Sequence, residues 1–312
     1  MLDFKIASGR ANRELAQNIA DYIGVELTEV TIKNFSDGEI WVKYEENIRG
    51  VDLFIIQSTQ APAENLLELL LLIDAAKRAS ARRVTAVIPY FAYARQDRKD
   101  QPRVSISAKL IANLITRAGA DRVITIDLHS SQIQGFFDIP FDHLYASPVL
   151  IRKIFQLGLT NFVVVAPDIG AAKTARAYAK RLNADLVIID KRRPEHNVAE
   201  VVNIIGEPEG KNVIMVDDLI DTGTTFIQCA EALKRRGSLD IYGVCVHAVF
   251  SGNALEKLNN TDAINKMFIT DTIPFKGKSD KIEIVSVAEL FAEAIIRTHD
   301  NRSISSLFEI ER

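Results

Sequence analysis

Short apolar runs alternate with segments of helical period along most of the chain. In the first half, the runs that read as strands occupy 53–57, 84–90 and 123–127, and each is nearly all apolar. The corresponding runs of the second half are 162–166, 186–190, 213–217, 244–249 and 267–270. Strands that are buried on both faces are typical of parallel sheets covered by helices. The pattern therefore predicts an α/β fold in which mostly parallel sheets are flanked by helices.

Helical spacing between these runs indicates a two-domain plan. Apolar residues recur four apart over 15–23 and over 106–114, and each series stops just before or a few residues before a glycine. Ser147 and Pro148 are typical of a helix start and open a second series of strands and helices. A chain of 312 residues exceeds the usual size of one hydrophobic core. We predict an N-terminal domain over 1–146, a C-terminal domain over 147–288, and a helix and tail over 289–312.

Composition and charge narrow the classes of partner. The chain is 47% hydrophobic and 25% charged, which is typical of a globular protein, and its formal net charge is −3. This charge provides no general attraction for nucleic acid, and no apolar run is long enough to span a membrane. Cys229 and Cys245 are too few for a disulfide framework, so we expect a cytoplasmic protein.

One segment combines a buried strand with acidic and small polar residues. Residues 212–226 read NVIMVDDLIDTGTTF, in which an apolar strand ends at Asp217 and Asp218 and a small-residue turn follows. Ligands bind at the carboxyl ends of strands in open α/β sheets, and such a turn directs backbone N–H groups at a phosphate. Two carboxylates suit a diol or a metal ion. An ordinary polar turn with a helix cap is the alternative, although adjacent acids closing an apolar strand are costly without partners.

This segment resembles the phosphoribosyl-diphosphate binding motif of type I phosphoribosyltransferases. The resemblance extends to the ribose-phosphate diphosphokinase family over essentially the whole chain. The matching stretches are FSDGE (35–39), YARQDRKD (93–100), ISAKL (106–110), DLHSSQIQGFFDIP (127–140), DKRRP (190–194), VFSGNA (249–254) and LFAEAI (290–295). The resemblance implies two similar phosphoribosyltransferase-type domains and a homo-oligomer, hexameric or related. It also implies transfer of the terminal diphosphate of ATP to ribose 5-phosphate with Mg²⁺.

Site residues follow from this resemblance, position by position. It implies that ATP is bound by Phe35, Asp37, Gly38, Glu39, Arg95, Gln96 and Asp100. It implies that ribose 5-phosphate is bound by Arg193, Asp217, Asp218, Asp221, Thr222, Gly223, Thr224 and Thr225. The implied catalytic residues are Lys191 and Arg193, and the implied metal positions are His129 and Asp168. Arg49, Gln134, Ser303 and Ser305 lie at places similar to the family's regulatory site for phosphate and ADP.

Some positions depart from the family pattern. Thr224, Ala171 and Ala92 stand where the family usually has glycine, and Ala166 stands where it usually has serine. Glycine permits a positive φ or a close approach to phosphate, so the substitution at Thr224 is expected to alter the phosphate contact. Because the acids and the cationic residues of the motifs remain, we expect an active enzyme.

Two other functions share parts of the pattern. A type I phosphoribosyltransferase would consume the same diphosphate, but it would not need the ATP stretches FSDGE (35–39) and YARQD (93–97). A catalytically inactive regulatory protein of the synthetases would share the fold, but Lys191 and Arg193 argue against it.

Overall fold

The computed structural model describes residues 4–192 and 201–308, and it divides the chain into two compact units. Unit 1 comprises the chain up to Ala146, the short segment Thr272–Pro274 and the chain from Ser286 onwards. Unit 2 comprises Ser147–Asp271 and Phe275–Val285. The described part of the segment predicted as a helix and tail, 289–308, falls in unit 1, and the predicted domain bounds stay a prediction.

The helices and strands follow one another in regular alternation. In chain order they are β1 (Phe4–Ser8), α1 (Arg13–Ile23), β2 (Val30–Asn34), β3 (Ile40–Tyr44), β4 (Asp52–Ile56), α2 (Glu64–Arg78), β5 (Arg83–Ile88), α3 (Ser107–Ala118), β6 (Arg122–Ile126), a 3₁₀ segment (Ser131–Phe136), β7 (Phe141–Leu144), α4 (Ser147–Phe155), β8 (Phe162–Ala166), α5 (Ala172–Leu182), β9 (Asp185–Arg192), β10 (Val201–Ile205), β11 (Asn212–Ile220), α6 (Thr224–Arg235), β12 (Ile241–Ala248), α7 (Ala254–Asn260), β13 (Lys266–Thr270), β14 (Ile282–Val285), α8 (Ala288–His299) and a second 3₁₀ segment (Ser305–Phe308).

Each unit is built on a parallel sheet. In unit 1 the strand order is β1-β4-β5-β6-β7, all neighbours are parallel, and β2 and β3 form a separate antiparallel hairpin. In unit 2 the order is β10-β9-β8-β11-β12-β13-β14, and β10 is antiparallel to β9 while the other neighbours are parallel. The predicted α/β fold with mostly parallel sheets is confirmed. No helix in the described ranges is long and apolar enough to cross a membrane.

The cores lie where the apolar strands meet the helices. Strand β4 is buried at every position, and β5 is buried at all but its first, as expected for strands covered on both faces. In unit 1 the core cluster joins β4, β5 and α2, and in unit 2 a second cluster joins β8, β11 and α6.

Two local predictions differ from the structure. The helix predicted around 106–114 is present as α3, but Leu110 and Leu114 are 55% and 39% exposed. Its buried face is instead Ala108, Ile111, Ala112 and Ile115, because small residues allow the helix to approach its neighbours closely. Ser147 is the first residue of α4, and its hydroxyl accepts a hydrogen bond from the Arg181 guanidinium on α5.

Candidate active site

The sheet of unit 2 reverses its strand order between β8 and β11. From β8 the chain continues to β9 on one side, whereas β11 pairs with β8 on the other side and leads to β12. Asp168 follows the end of β8, and Asp217 and Asp218 lie in the last part of β11. The crevice beside such a switch point is where open α/β sheets bind ligands. The topology therefore brings three of the predicted acids to one edge of the sheet.

The two adjacent acids of β11 are partly buried. The Asp217 carboxylate accepts a hydrogen bond from the backbone N–H of Asp218, with an N···O distance of 2.9 Å. Burial raises the pKa of Asp217 well above its usual range, and the negative charges of Asp218 and Asp168 raise it further. The ligand-free protein therefore disfavours full ionisation of these acids, and hydroxyl donors or a cation would relieve the repulsion.

The turn after β11 directs a helix N-terminus into the same region. Gly223 has φ +70° and immediately precedes α6. The first bond of the helix runs from the Ile227 N–H to the Gly223 carbonyl, at 3.0 Å, so the N–H groups of 224–226 precede the helical ladder. The N-cap residue, Gly223, has no side chain that could cap these N–H groups. Such N–H groups and the helix dipole favour an anion.

Thr224 is compatible with this turn although glycine is usual there. It is the first residue of α6 and has no positive φ, so a side chain causes no backbone strain. Its hydroxyl accepts a hydrogen bond from the Lys257 ammonium on α7, at 2.9 Å. The threonine that was expected to alter the phosphate contact therefore also binds the Lys257 ammonium, which the sequence did not indicate as part of this turn. Thr222, Thr224 and Thr225 are all exposed, and Asp221 is partly buried.

Asp168 lies in the turn between β8 and α5. One of its carboxylate oxygens accepts the Ala171 N–H at 2.9 Å, which fixes the turn in the manner of a helix cap. Ala171 has φ −76°, so it needs no glycine conformation. Oxygen ligands of this kind fit a hard divalent cation such as Mg²⁺, which commonly takes one or two carboxylates together with substrate phosphates. Within the described ranges, no three His, Cys, Asp or Glu side chains form a cluster that could hold a metal ion.

The predicted catalytic residues lie at or beyond the end of β9. The backbone of Lys191 pairs with Val202 of β10. Arg193 lies outside the described residues.

Unit 1 carries the first predicted ATP stretch, 35–39, at the turn between β2 and β3. The turn is closed by hydrogen bonds from the Phe35 N–H to the Glu39 carbonyl, at 2.8 Å, and from the Gly38 N–H to the Phe35 carbonyl, at 2.9 Å. Gly38 has φ +95°, a conformation that side chains disfavour. Phe35 is 54% exposed, and Asp37 and Glu39 are exposed beside it. An exposed ring next to two carboxylates can stack on a base and accept from its amino group.

The second predicted ATP stretch follows β5. Arg95 and Asp100 are exposed, and the Gln96 side chain accepts a hydrogen bond from the Ser107 hydroxyl at the start of α3, at 2.6 Å. Ala92 is buried, has no positive φ, and donates its N–H to the Thr59 hydroxyl, so alanine fits there. His129 follows the neighbouring strand β6 and is exposed.

The residues of the predicted regulatory site all lie in unit 1. Arg49 is exposed, and its N–H donates to the Asn47 side chain. The Gln134 amide donates to the Ser131 carbonyl within the 3₁₀ segment. Ser303 and Ser305 are exposed and joined by a bond from the Ser305 N–H to the Ser303 hydroxyl. Their regulatory role stays a prediction.

Sequence reasoning missed three residues that contact the predicted stretches. Lys257 contacts the turn after β11, Asn34 contacts the β2–β3 turn, and Arg10 contacts Asn34. None of them lies within a motif. Arg10 and Lys257 contact residues 24 and 33 positions away, and Asn34 lies just before the 35–39 stretch. The β2–β3 hairpin was also missed, although its alternation of Val30 and Ile32 with polar neighbours is a strand signal.

Comparisons with known proteins agree over the length of the chain. Residues 4–119 match the model of the N-terminal domain of ribose phosphate pyrophosphokinase, and 196–309 match that of the phosphoribosyl synthetase-associated domain. A ribose-phosphate pyrophosphokinase from Chlorobaculum tepidum is 56% identical, over 98% of this chain and 95% of the relative. One from Wolinella succinogenes is 52% identical, over 99% of this chain and 100% of the relative.

A solved structure extends the likeness to three dimensions. The phosphoribosylpyrophosphate synthetase from Mycobacterium smegmatis superimposes with a TM-score of 0.90 at 37% sequence identity, covering 96% of this chain and 99% of that one. Relatives more than half identical and aligned from end to end share a family, because such agreement covers both units and every described motif. The chain therefore belongs to the ribose-phosphate pyrophosphokinase family.

Proposed function

We propose that the chain transfers the β,γ-diphosphate of ATP to the anomeric hydroxyl of ribose 5-phosphate. The products are 5-phosphoribosyl 1-diphosphate and AMP. The observation that carries this proposal is the juxtaposition, at the switch point of unit 2, of the acids of β11 with the N-terminus of α6. In a chain of this family, the acids suit the sugar hydroxyls and the helix N-terminus suits the 5-phosphate.

Binding of the sugar phosphate uses the residues after β11. The 5-phosphate accepts hydrogen bonds from the turn formed by Asp221, Thr222, Gly223, Thr224 and Thr225. The ring hydroxyls donate to Asp217 and Asp218, and this contact offsets the causes that raise the pKa of Asp217, because hydrogen bonds to a carboxylate favour its charged form. Lys257 adds positive charge beside Thr224. The sugar is thereby oriented with its anomeric hydroxyl toward ATP, and such positioning lowers the barrier to transfer.

ATP and the transferred group are handled by the remaining predicted residues. Phe35, Asp37, Gly38 and Glu39 contact the adenine end, and Arg95, Gln96 and Asp100 contact ATP from the other loop. Lys191 and Arg193 stabilise the charge that develops as AMP leaves. His129 and Asp168 are each proposed as residues that contact Mg²⁺, and the cation would supply further neutralisation of the diphosphate. We also propose a cytoplasmic homo-oligomer, hexameric by resemblance, regulated at Arg49, Gln134, Ser303 and Ser305.

A labelling experiment tests the reaction. The purified chain is incubated with ribose 5-phosphate, Mg²⁺ and ATP labelled in its β-phosphate. We expect one AMP for each molecule of labelled 5-phosphoribosyl 1-diphosphate. A type I phosphoribosyltransferase would form no AMP in this assay, and it would release diphosphate in a second assay that supplies phosphoribosyl diphosphate and a base. An inactive regulatory protein would give neither product, and either result overturns the proposal.

Substitution of Lys191 tests its proposed role in stabilising the charge that develops as AMP leaves. We expect Lys191→Ala to lower kcat by about 10²–10³ while binding of ribose 5-phosphate is retained, because a charge-stabilising contact acts mainly in the transition state. Lys173→Ala, which removes an exposed lysine of α5, is the matched control. Unchanged kcat in Lys191→Ala would remove this residue from the mechanism.

A further inference from the structure

A buried carboxylate in unit 1 lies under the chain segment that leads away from β1. Glu68 of α2 is 2% exposed, and its carboxylate accepts hydrogen bonds from the Arg10 N–H, the Arg10 Nε and the Gln57 side-chain amide, at 2.6, 2.6 and 3.0 Å. A Cβ on Gly9 would lie 2.3 Å from Gln57 Oε1 and 2.8 Å from Glu68 Oε1. Only glycine allows the backbone to approach this carboxylate so closely. The Arg10 backbone and the Nε end of its guanidinium are therefore held in one place.

The other end of the same guanidinium reaches the β2–β3 hairpin. Arg10 Nη1 donates to Asn34 Oδ1 at 2.7 Å, and Asn34 Nδ2 donates to the Gly38 carbonyl at 2.9 Å. Asn34 is the last residue of β2, and Gly38 lies inside the 35–39 turn. A continuous chain of hydrogen bonds thus joins buried Glu68 to the turn. An amide that uses both its oxygen and its nitrogen in this way has a fixed orientation.

The hairpin is anchored at its base by different contacts. Val30, Ile32, Val42 and Tyr44 pack on the core cluster that includes α2, and the Tyr44 hydroxyl donates to the Leu72 carbonyl at 3.0 Å. The turn itself is exposed at every position from 35 to 39. Hydrophobic packing can therefore hold the hairpin on the domain, but it does not fix the turn. The Glu68–Arg10–Asn34 contacts do reach the turn.

We propose that Arg10, held by the buried Glu68 carboxylate, is a positioning residue that acts through Asn34 to fix the 35–39 turn for ATP. The inference rests on the proposed function, because it concerns the ATP stretch of that reaction. Arg10 does not itself contact ATP, and it affects ATP binding only through Asn34. Its loss changes the fraction of molecules in which the turn is ready to receive the adenine end, and this raises the apparent KM for ATP.

Steady-state kinetics of Asn34→Ala, Arg10→Gln and the double variant test this role. For each single variant we expect the KM for ATP to rise about tenfold, the scale of one lost charge-assisted hydrogen bond, with the KM for ribose 5-phosphate changed less than about twofold. Because both residues act in one chain of contacts, the double variant should be no worse than the poorer single variant. Arg10→Lys should not restore the KM for ATP, because one ammonium cannot bond Glu68 and Asn34 at once in the geometry of the guanidinium Nε and Nη1.

Matched controls separate this role from general damage. Asn18→Ala and Arg13→Gln remove exposed side chains of α1 in the same unit and should leave both KM values unchanged. Arg10→Gln leaves Glu68 with fewer partners and is the variant that can unfold, whereas Asn34→Ala keeps the Arg10–Glu68 pair. Asn34→Ala with an unchanged KM for ATP, or with equal rises in both KM values, overturns the inference. Absence of AMP release by the unsubstituted chain would instead overturn the proposed function.

Discussion

The turn after β11 and the turn between β2 and β3 are both at the surface, yet different features determine their conformations. The first follows a buried parallel strand at the switch point of its sheet, and backbone geometry at Gly223 and the start of α6 defines it. The second lies on a two-stranded hairpin outside the parallel sheet. The side chains that fix it are Arg10, which follows β1, Glu68 of α2 and Asn34 of β2. One turn is set by topology and the other by a side-chain network. The two should therefore respond differently to substitution.

The largest effect on activity is expected at Asp217 and Asp218, the acids that the sheet topology places at the switch point of unit 2. Replacing Asp217 and Asp218 together by asparagine should lower kcat/KM for ribose 5-phosphate by about 10²–10³, because two charge-assisted hydrogen bonds to the sugar are lost. Steady-state assays at saturating ATP measure this. Asp262→Asn, which changes an exposed acid of the same unit, is the control. A double variant with ordinary kcat/KM would remove these acids from sugar binding.

Replacing Asp217 should raise the stability of the protein, although it is expected to lower activity. The folded state raises the pKa of Asp217 above 3.8, so it binds more protons than the unfolded state between the two values. Stability is therefore lost as the pH rises through the folded pKa, and charged Asp217 destabilises the ligand-free protein at neutral pH. Asp217→Asn keeps the acceptor for the Asp218 N–H and should raise Tm at pH 7.5, with a gain that shrinks toward pH 4. A lower Tm at pH 7.5 would contradict this.

Two glycines of unit 2 distinguish strain from ligand contact. Gly223 and Gly158 have φ +70° and +64°, and no neighbouring atom lies closer than 3.7 Å to a Cβ at either position. Alanine at each should therefore cost a similar amount of stability, about 1–2 kcal/mol of backbone strain. Only Gly223→Ala should also raise the KM for ribose 5-phosphate, by about tenfold. The backbone N–H groups at the start of α6 would then point away from the 5-phosphate, and part of the energy of these hydrogen bonds would be lost. Equal KM values in the two variants would show that the turn after β11 does not contact the phosphate.

The sequence was informative where local pattern and topology coincide. The apolar run that ends at Asp217 predicts a buried strand. The carboxyl end of such a strand is a ligand position in open α/β sheets, whichever strands pair with it. The pairing of β8 with β11, which brings Asp168 to the same edge, is a long-range contact that periodicity does not encode. Arg10 and Asn34 escaped for the same reason, since their roles depend on a buried acid in another helix. Leu110 and Leu114 show the limit of periodicity, because an apolar stripe can lie on an exposed face.

A smaller effect is expected at Lys257. Lys257→Gln removes the ammonium beside Thr224 and should raise the KM for ribose 5-phosphate about fivefold, since a partly exposed charge contributes modestly. The KM for ATP should not change. Lys180→Gln, at an exposed lysine of α5, is the control. A rise in ionic strength should reduce the difference between Lys257→Gln and the unsubstituted chain, because salt screens an exposed charge. A difference that salt does not reduce would show that Lys257 acts through its bond to Thr224 and not through its charge, and no difference would remove Lys257 from sugar-phosphate binding.

The smallest effect is expected at the base of the hairpin. Tyr44→Phe removes the hydroxyl that donates to the Leu72 carbonyl, and one neutral hydrogen bond of this kind contributes about 0.5–1.5 kcal/mol. The ring keeps its packing on the core, so Tm should fall slightly and the KM for ATP should rise less than about twofold. Tyr22→Phe, at an exposed tyrosine of α1 whose hydroxyl donates to the Glu289 carboxylate at 3.3 Å, controls for loss of a surface hydrogen bond. If Tyr44→Phe raised the KM for ATP as much as Asn34→Ala does, the hydrogen bond at the base of the hairpin would fix the turn as much as the contacts at its tip do. The contrast between the two turns would then be wrong in assigning the β2–β3 turn to the Glu68–Arg10–Asn34 contacts alone.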